Sequence, residues 1–153
     1  MTGRLTIMPA AGVAVMCATG LAAALSDSDL KVVRLHPAAA PPGGSTVVHA
    51  FVADGGPERT ASPFTVIVRL PSGFTAEGPY FPEDCRSEAR GRLVRCTFGA
   101  GLAALRTATA LVPVRVGADV PPGTRAEGHV QVVGADDRDP RDDRTPFTLS
   151  AGC

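Results

Sequence analysis

The sequence has no tryptophan, no asparagine, a single lysine and only 5% aromatic residues. With one tyrosine and six phenylalanines, several of them at alternating apolar positions, it offers few flat faces on which a sugar could stack. It also lacks a charge excess: 15 basic residues stand against 15 acidic ones, and loss of Arg4 with an N-terminal leader leaves 14 against 15. A nucleic-acid binder shows a basic surplus, so that class is excluded. No G-x-S-x-G nucleophile elbow occurs, and His36, His49 and His129 have no metal-ligand spacing, so no catalytic set is legible and none is expected. No cofactor motif appears either. Arginine outnumbers lysine 14 to 1, which together with the missing asparagine reflects GC-rich coding and carries no mechanism.

What is present begins with an apolar run. Residues 5–25 contain no charge, follow Arg4 and end at the polar stretch Ser26-Asp27-Ser28-Asp29. Small residues at Ala22, Ala23 and Ala24 supply the A-x-A pattern of a signal-peptidase site, which places the leader at 1–25 and one mature domain at 26–153. The rival reading is a retained single-pass anchor, since 21 apolar residues can just cross a bilayer. Cys17 does not fit a lipobox, because Met16 stands where a small residue is needed. Removing 25 of 153 residues leaves 128, enough for one core without a metal or a dense disulfide framework.

Export places the mature cysteines in an oxidising compartment. Opposing Cys85 with Cys96 centres a two-residue turn on Arg90-Gly91, with glycine where positive φ is required, so these two are expected to staple a hairpin. In that register Arg86 faces Arg95, an unfavourable like-charge pair unless both splay into water. Cys153 is left over at the C-terminus. It reads either as a thiol that forms an intermolecular or mixed disulfide, and hence a covalent dimer, or as a tail cysteine without a role.

From residue 30 onward hydrophobicity alternates with period two, and no long segment has helical period. Strands are expected at 30–35, 45–53, 64–70, 93–98, 110–116, 125–133 and 146–149, with a single helical turn within 99–106. Pro113 cannot donate to a ladder, so the strand at 110–116 is expected at a sheet edge. The bend at 38–44 is consistent with a change of sheet, and His129 is expected to face solvent with the other polar residues of its strand. Seven or so short strands with Gly, Pro and Asp punctuation read as an antiparallel β-sandwich.

Pro42-Gly43-Gly44-Ser45 before a strand, Asp54-Gly55-Gly56 after it, Leu70-Pro71-Ser72-Gly73-Phe74, the paired Cys85 and Cys96, and Asp137-Arg138-Asp139-Pro140 before the last strand occur in that order. Over residues 30 to 150 this pattern resembles the Ig-like repeats of bacterial surface proteins, the CARDB-like domains and the "domain of unknown function eleven" repeats of actinobacterial exported proteins. Such repeats often carry Asn where this chain has Asp54 and Asp142-Asp143. The resemblance implies an Ig-like sandwich acting as a surface or secreted module, with an envelope or extracellular protein or polymer as partner and no catalytic residue.

Three candidate sites remain. Asp136, Asp137, Asp139, Asp142 and Asp143 could offer oxygen ligands to a hard cation such as Ca²⁺, although Arg138, Arg141 and Arg144 are interleaved to neutralise them and no EF-hand Gly or Glu is in place. Tyr80 and Phe81, between Pro79 and Pro82, form an aromatic pair that could anchor a partner or pack over the end of the sandwich. Arg86, Arg90, Arg92 and Arg95 make the hairpin basic, suited to an anionic surface or to keeping a sheet edge solvated.

Overall fold

A computed structural model describes residues 25–153, so the leader or anchor assigned to 1–25 lies, but for its last residue, outside the described residues, as does Cys17. Nine strands follow in order: β1 (Leu30–Val33), β2 (Ser45–Asp54), β3 (Phe64–Arg69), β4 (Phe74–Ala76), β5 (Arg86–Glu88), β6 (Leu93–Phe98), β7 (Thr107–Val116), β8 (Arg125–Gly134) and β9 (Arg144–Ser150). They form two antiparallel sheets, one of four strands in the order β1-β2-β7-β4 and one of five in the order β5-β6-β3-β8-β9. Among the described residues no helix is long and apolar enough to cross a membrane.

Period-two alternation sends one set of side chains between the sheets. Val48, Ala50 and Val52 of β2 and Ala110, Val112, Val114 and Val116 of β7 meet Phe64, Val66 and Val68 of β3, Val94 of β6 and Val132 of β8, all buried. β-branched residues dominate because they fill a pleated surface with little loss of rotamer freedom. Gly128 interrupts this set for want of space: a Cβ there would lie 2.5 Å from the Phe147 ring and 2.7 Å from the Arg69 carbonyl oxygen. The two sheets are tied along one side by the bridges Ser28 to Asp137 and Ala40 to Ala151.

Two expectations need correction, and one strand was missed. The strand holding Pro113 is not at an edge but lies between β2 and β4. In an antiparallel strand the N–H and C=O of one residue point the same way, and the Pro113 carbonyl accepts from the Glu77 N–H at 3.0 Å, just beyond the end of β4. The missing donor therefore faces a place where the partner strand has already stopped, and the ladder to β2 loses nothing. The bend at 38–44 does reach the other sheet, at Ala40, whose N–H donates to the Ser150 carbonyl at 3.2 Å and whose carbonyl accepts from the Gly152 N–H at 2.8 Å at the end of β9; the Gly44 N–H then closes a turn on the Pro41 carbonyl at 2.8 Å and the chain returns beside β1 as β2. Residues 99–106 contain an isolated turn, Arg106 N–H to Ala103 carbonyl at 3.1 Å, and no helix. β4 was not expected: it has three residues, too few to show a period.

Candidate functional site

The hairpin forms in the expected register. Arg86 pairs with Arg95 and Glu88 with Leu93, and Cys85 and Cys96 are joined on the core side, 4% and 0% exposed. The Arg92 N–H donates to the Ala89 carbonyl at 3.2 Å across Arg90 (φ 57°) and Gly91 (φ 79°), the two positive φ angles of a type I′ turn. Ala89 is left-handed as well, at φ 51°. Gly91 is required twice over, since a Cβ would sit 2.6 Å from the Thr75 methyl and 3.0 Å from the Ala76 carbonyl oxygen. The like-charge problem is solved by divergence. Arg95 turns to Glu88, Nε to Oε1 at 3.1 Å, while the Arg86 guanidinium donates to the backbone oxygens of Glu83 and Cys85 at 2.9 and 3.0 Å.

Tyr80 and Phe81 do not act as a pair. Tyr80 packs against the core, whereas Phe81 is 57% exposed and its backbone exchanges two hydrogen bonds with Leu111, extending the edge beyond β4. The histidines are likewise dispersed. His36 Nδ1 accepts from the Thr148 N–H at 3.0 Å on β9, His49 stacks on Phe51 on the four-stranded sheet, and His129, on the outer face as expected, meets Glu127 at 3.2 Å.

At one end of the sandwich the acidic residues divide by task. Asp136 is buried and accepts from the Ala61 and Ser62 N–H groups, both at 2.6 Å, and from the Ser62 hydroxyl at 3.2 Å. Burial pushes its pKa up, but the hydrogen bonds from Ser62 and Ala61 outweigh this and hold it below the usual carboxylate value. Asp139 caps the 3₁₀ turn Pro140–Asp142 and is gripped by the Arg141 guanidinium at 2.8 Å through each oxygen, which lowers its pKa to about 2. Asp137 uses Oδ1 to accept from the Leu30 N–H at 3.1 Å. Its other oxygen is buried without a donor, as are Oδ1 of Asp142 and Oδ1 of Asp143. Burial, then the hydrogen bond and charge of Asp137, push Asp143 up to about 8. Asp142 is raised too, by burial and by the charges of Asp29 and Asp139.

Sequence reasoning missed Asp29, which joins this cluster from the residue before β1 and pairs with Lys31 at 3.6 Å and Arg138 at 3.9 Å. In the sequence it reads only as part of the polar run ending the leader. Among the described residues no three acidic, histidine or cysteine side chains stand as a ligand group for one ion. Asp136 and Asp139 are already saturated by their own donors.

No family model matches the chain, and no curated protein matches it. Solved structures do. The third cohesin of ScaC from Acetivibrio cellulolyticus, solved in complex with the ScaB dockerin, superposes with a TM-score of 0.56 at 9% identity, over 81% of this chain and 99% of that one. The sixth cohesin of scaffoldin B of the same organism, in complex with Cel5 dockerin, gives 0.53 at 11% identity over 82% and 99%. BcpA, the major pilin subunit of Bacillus cereus, gives 0.52 at 10% identity over 82% of this chain but 39% of its own length. The class defined by these neighbours and by the two-sheet topology is the Ig-like antiparallel β-sandwich.

Proposed function

We propose that this protein is an exported, non-enzymatic Ig-like interaction domain of the cell envelope or its surroundings, akin to the CARDB-like surface repeats. The observation that carries this reading is the Cys85–Cys96 disulfide, closed across the β5–β6 hairpin and buried in the core. Such bonds persist in oxidising compartments and are reduced in the cytosol. A disulfide-stapled sandwich places its chemistry on strand faces and loops, which suits recognition of a partner. The cohesin neighbours, solved with dockerins bound, show that a sandwich of this topology can serve protein recognition, and this supports a protein partner here.

The test is an intact mass of the protein recovered separately from culture medium and cell envelope, before and after reduction with thiol alkylation. The reading expects a mature chain starting near residue 25 to 27 with two cysteines paired. A full-length chain held in the envelope would make it an anchored ectodomain with the same role. A fully reduced chain in the cytosol would overturn the reading.

A further inference from the structure

Resting on that reading, we infer that the outer face of the five-stranded sheet, around a groove between Arg69 and Arg92, docks an acidic, carboxylate-bearing segment of a protein partner. Strand register assembles the surface. One row across the sheet runs Arg86, Arg95, Ile67, Gln131, Arg144, and the next runs Glu88, Leu93, Arg69, His129, Pro146. With Arg92 and Arg90 in the adjoining turn, this region holds six arginines against Glu88 and Glu127, in a chain whose charges balance at 15 to 15. The two glutamates are already engaged, Glu88 with Arg95 and Glu127 with His129. Among the described residues no carboxylate pairs with Arg69, Arg92 or Arg144.

The groove itself, about 310 Å³, lies between the end of β3 and the β5–β6 turn, with the Arg69 and Arg92 side chains beside Leu70, Ala89 and Leu93. The buried Leu70 and Leu93 make its floor apolar. Its lip is the left-handed stretch Ala89-Arg90-Gly91, in which two non-glycine residues hold positive φ. Backbone of that kind is costly and persists where the surroundings over-determine it, which here means the disulfide and the Gly91 contact with β4. The turn is thereby rigid, and it presents Arg92 at a set position.

Charge and shape together select the occupant. A guanidinium is planar and weakly hydrated, and it binds carboxylates in a bidentate manner. An apolar centre with arginine around it is the anatomy of a protein interface. Leu70 and Leu93 in the groove floor, with Ile67 in the adjoining row, supply that centre. A phosphate polymer or a lipid headgroup would use the charge and leave the apolar centre unmatched.

The experiment uses the protein as recovered from the cell and a short fluorescein-labelled peptide alternating glutamate and leucine, read by anisotropy at low ionic strength. Binding is expected, weakening with added salt. The double variant Arg69→Glu, Arg92→Glu should lose affinity by about tenfold or more, with an unchanged melting temperature, while Arg106→Glu, on the loop before β7, should match the parent. If the double variant melts early, Arg69→Gln with Arg92→Gln decides by the same criteria. No binding of the peptide, equal binding by the variants, or binding only to polyglycerol phosphate or to phosphatidylglycerol/phosphatidylcholine vesicles overturns the proposal. Any of these leaves the location and thiol state of the protein as measured, so the two readings fail separately.

Discussion

Asp143 is crowded by Asp137 at the end of the sandwich, and its raised pKa ties stability to pH. The pKa of Asp143 in the fold, about 8, lies above its value in the unfolded chain, near 3.8. Its contribution is therefore complete below pH 4, declines as the pH rises toward 8 and is gone above it. Asp139, lowered to about 2, has the opposite sign: its contribution is present above the unfolded value and lost as pH falls through 2. Asp143→Asn puts a neutral amide of the same shape in that place, and it does not titrate. Melting temperatures from pH 4 to 9 should fall for the parent and flatten for the variant; parallel curves would show that Asp143 titrates normally. This pair could be seen in the sequence only as two members of an acidic run. Nothing in the spacing says that Asp136 is buried under two backbone donors, that Asp139 belongs to Arg141, or that Asp29 arrives from more than a hundred residues away.

At the scale of the element, the β5–β6 hairpin shows how covalent and backbone chemistry act together. Its register follows from Cys85 facing Cys96 and from Gly91 in the type I′ turn, both evident along the chain because hairpin contacts are local. Closing this loop of about 12 residues is worth roughly 3 kcal/mol in the chain-entropy model. Cys85→Ala is expected to lower unfolding stability by about 2–4 kcal/mol, measured by urea denaturation, and an unchanged midpoint would refute the staple. β7 teaches the converse. Pro113 argued for an edge strand, and the strand is internal because β4 ends just before the missing N–H would be needed. Where a neighbouring strand stops is a property of the assembled sheet, which a propensity for single residues does not contain. The short β4 escaped notice for a related reason: three residues carry no period, and its pairing with β7 makes it a strand.

For the molecule as a whole, charge is balanced in total and unevenly distributed in space. Carboxylates gather at the loop before β9 with Asp29, while arginines gather on the outer face of the five-stranded sheet. Cys153 is exposed at the C-terminus, and it is the one free thiol among the described residues. In an oxidising compartment it is expected to be capped by a small thiol or joined to a second chain. Cys153→Ser should leave the melting temperature unchanged and remove any reducible dimer from non-reducing gels; a dimer that persists would mean another thiol makes it. The amino-acid sequence by itself determined the antiparallel sandwich, seven of its strands, the inward set of valines and the Cys85–Cys96 pairing, because alternation and turn chemistry are written in neighbouring residues. Only the tertiary structure decided which strands lie side by side, which aspartates are crowded together, and that Arg69 and Arg144 join the hairpin arginines on one face. Those facts depend on the meeting of segments far apart in the chain, and the same local pattern is compatible with several such meetings.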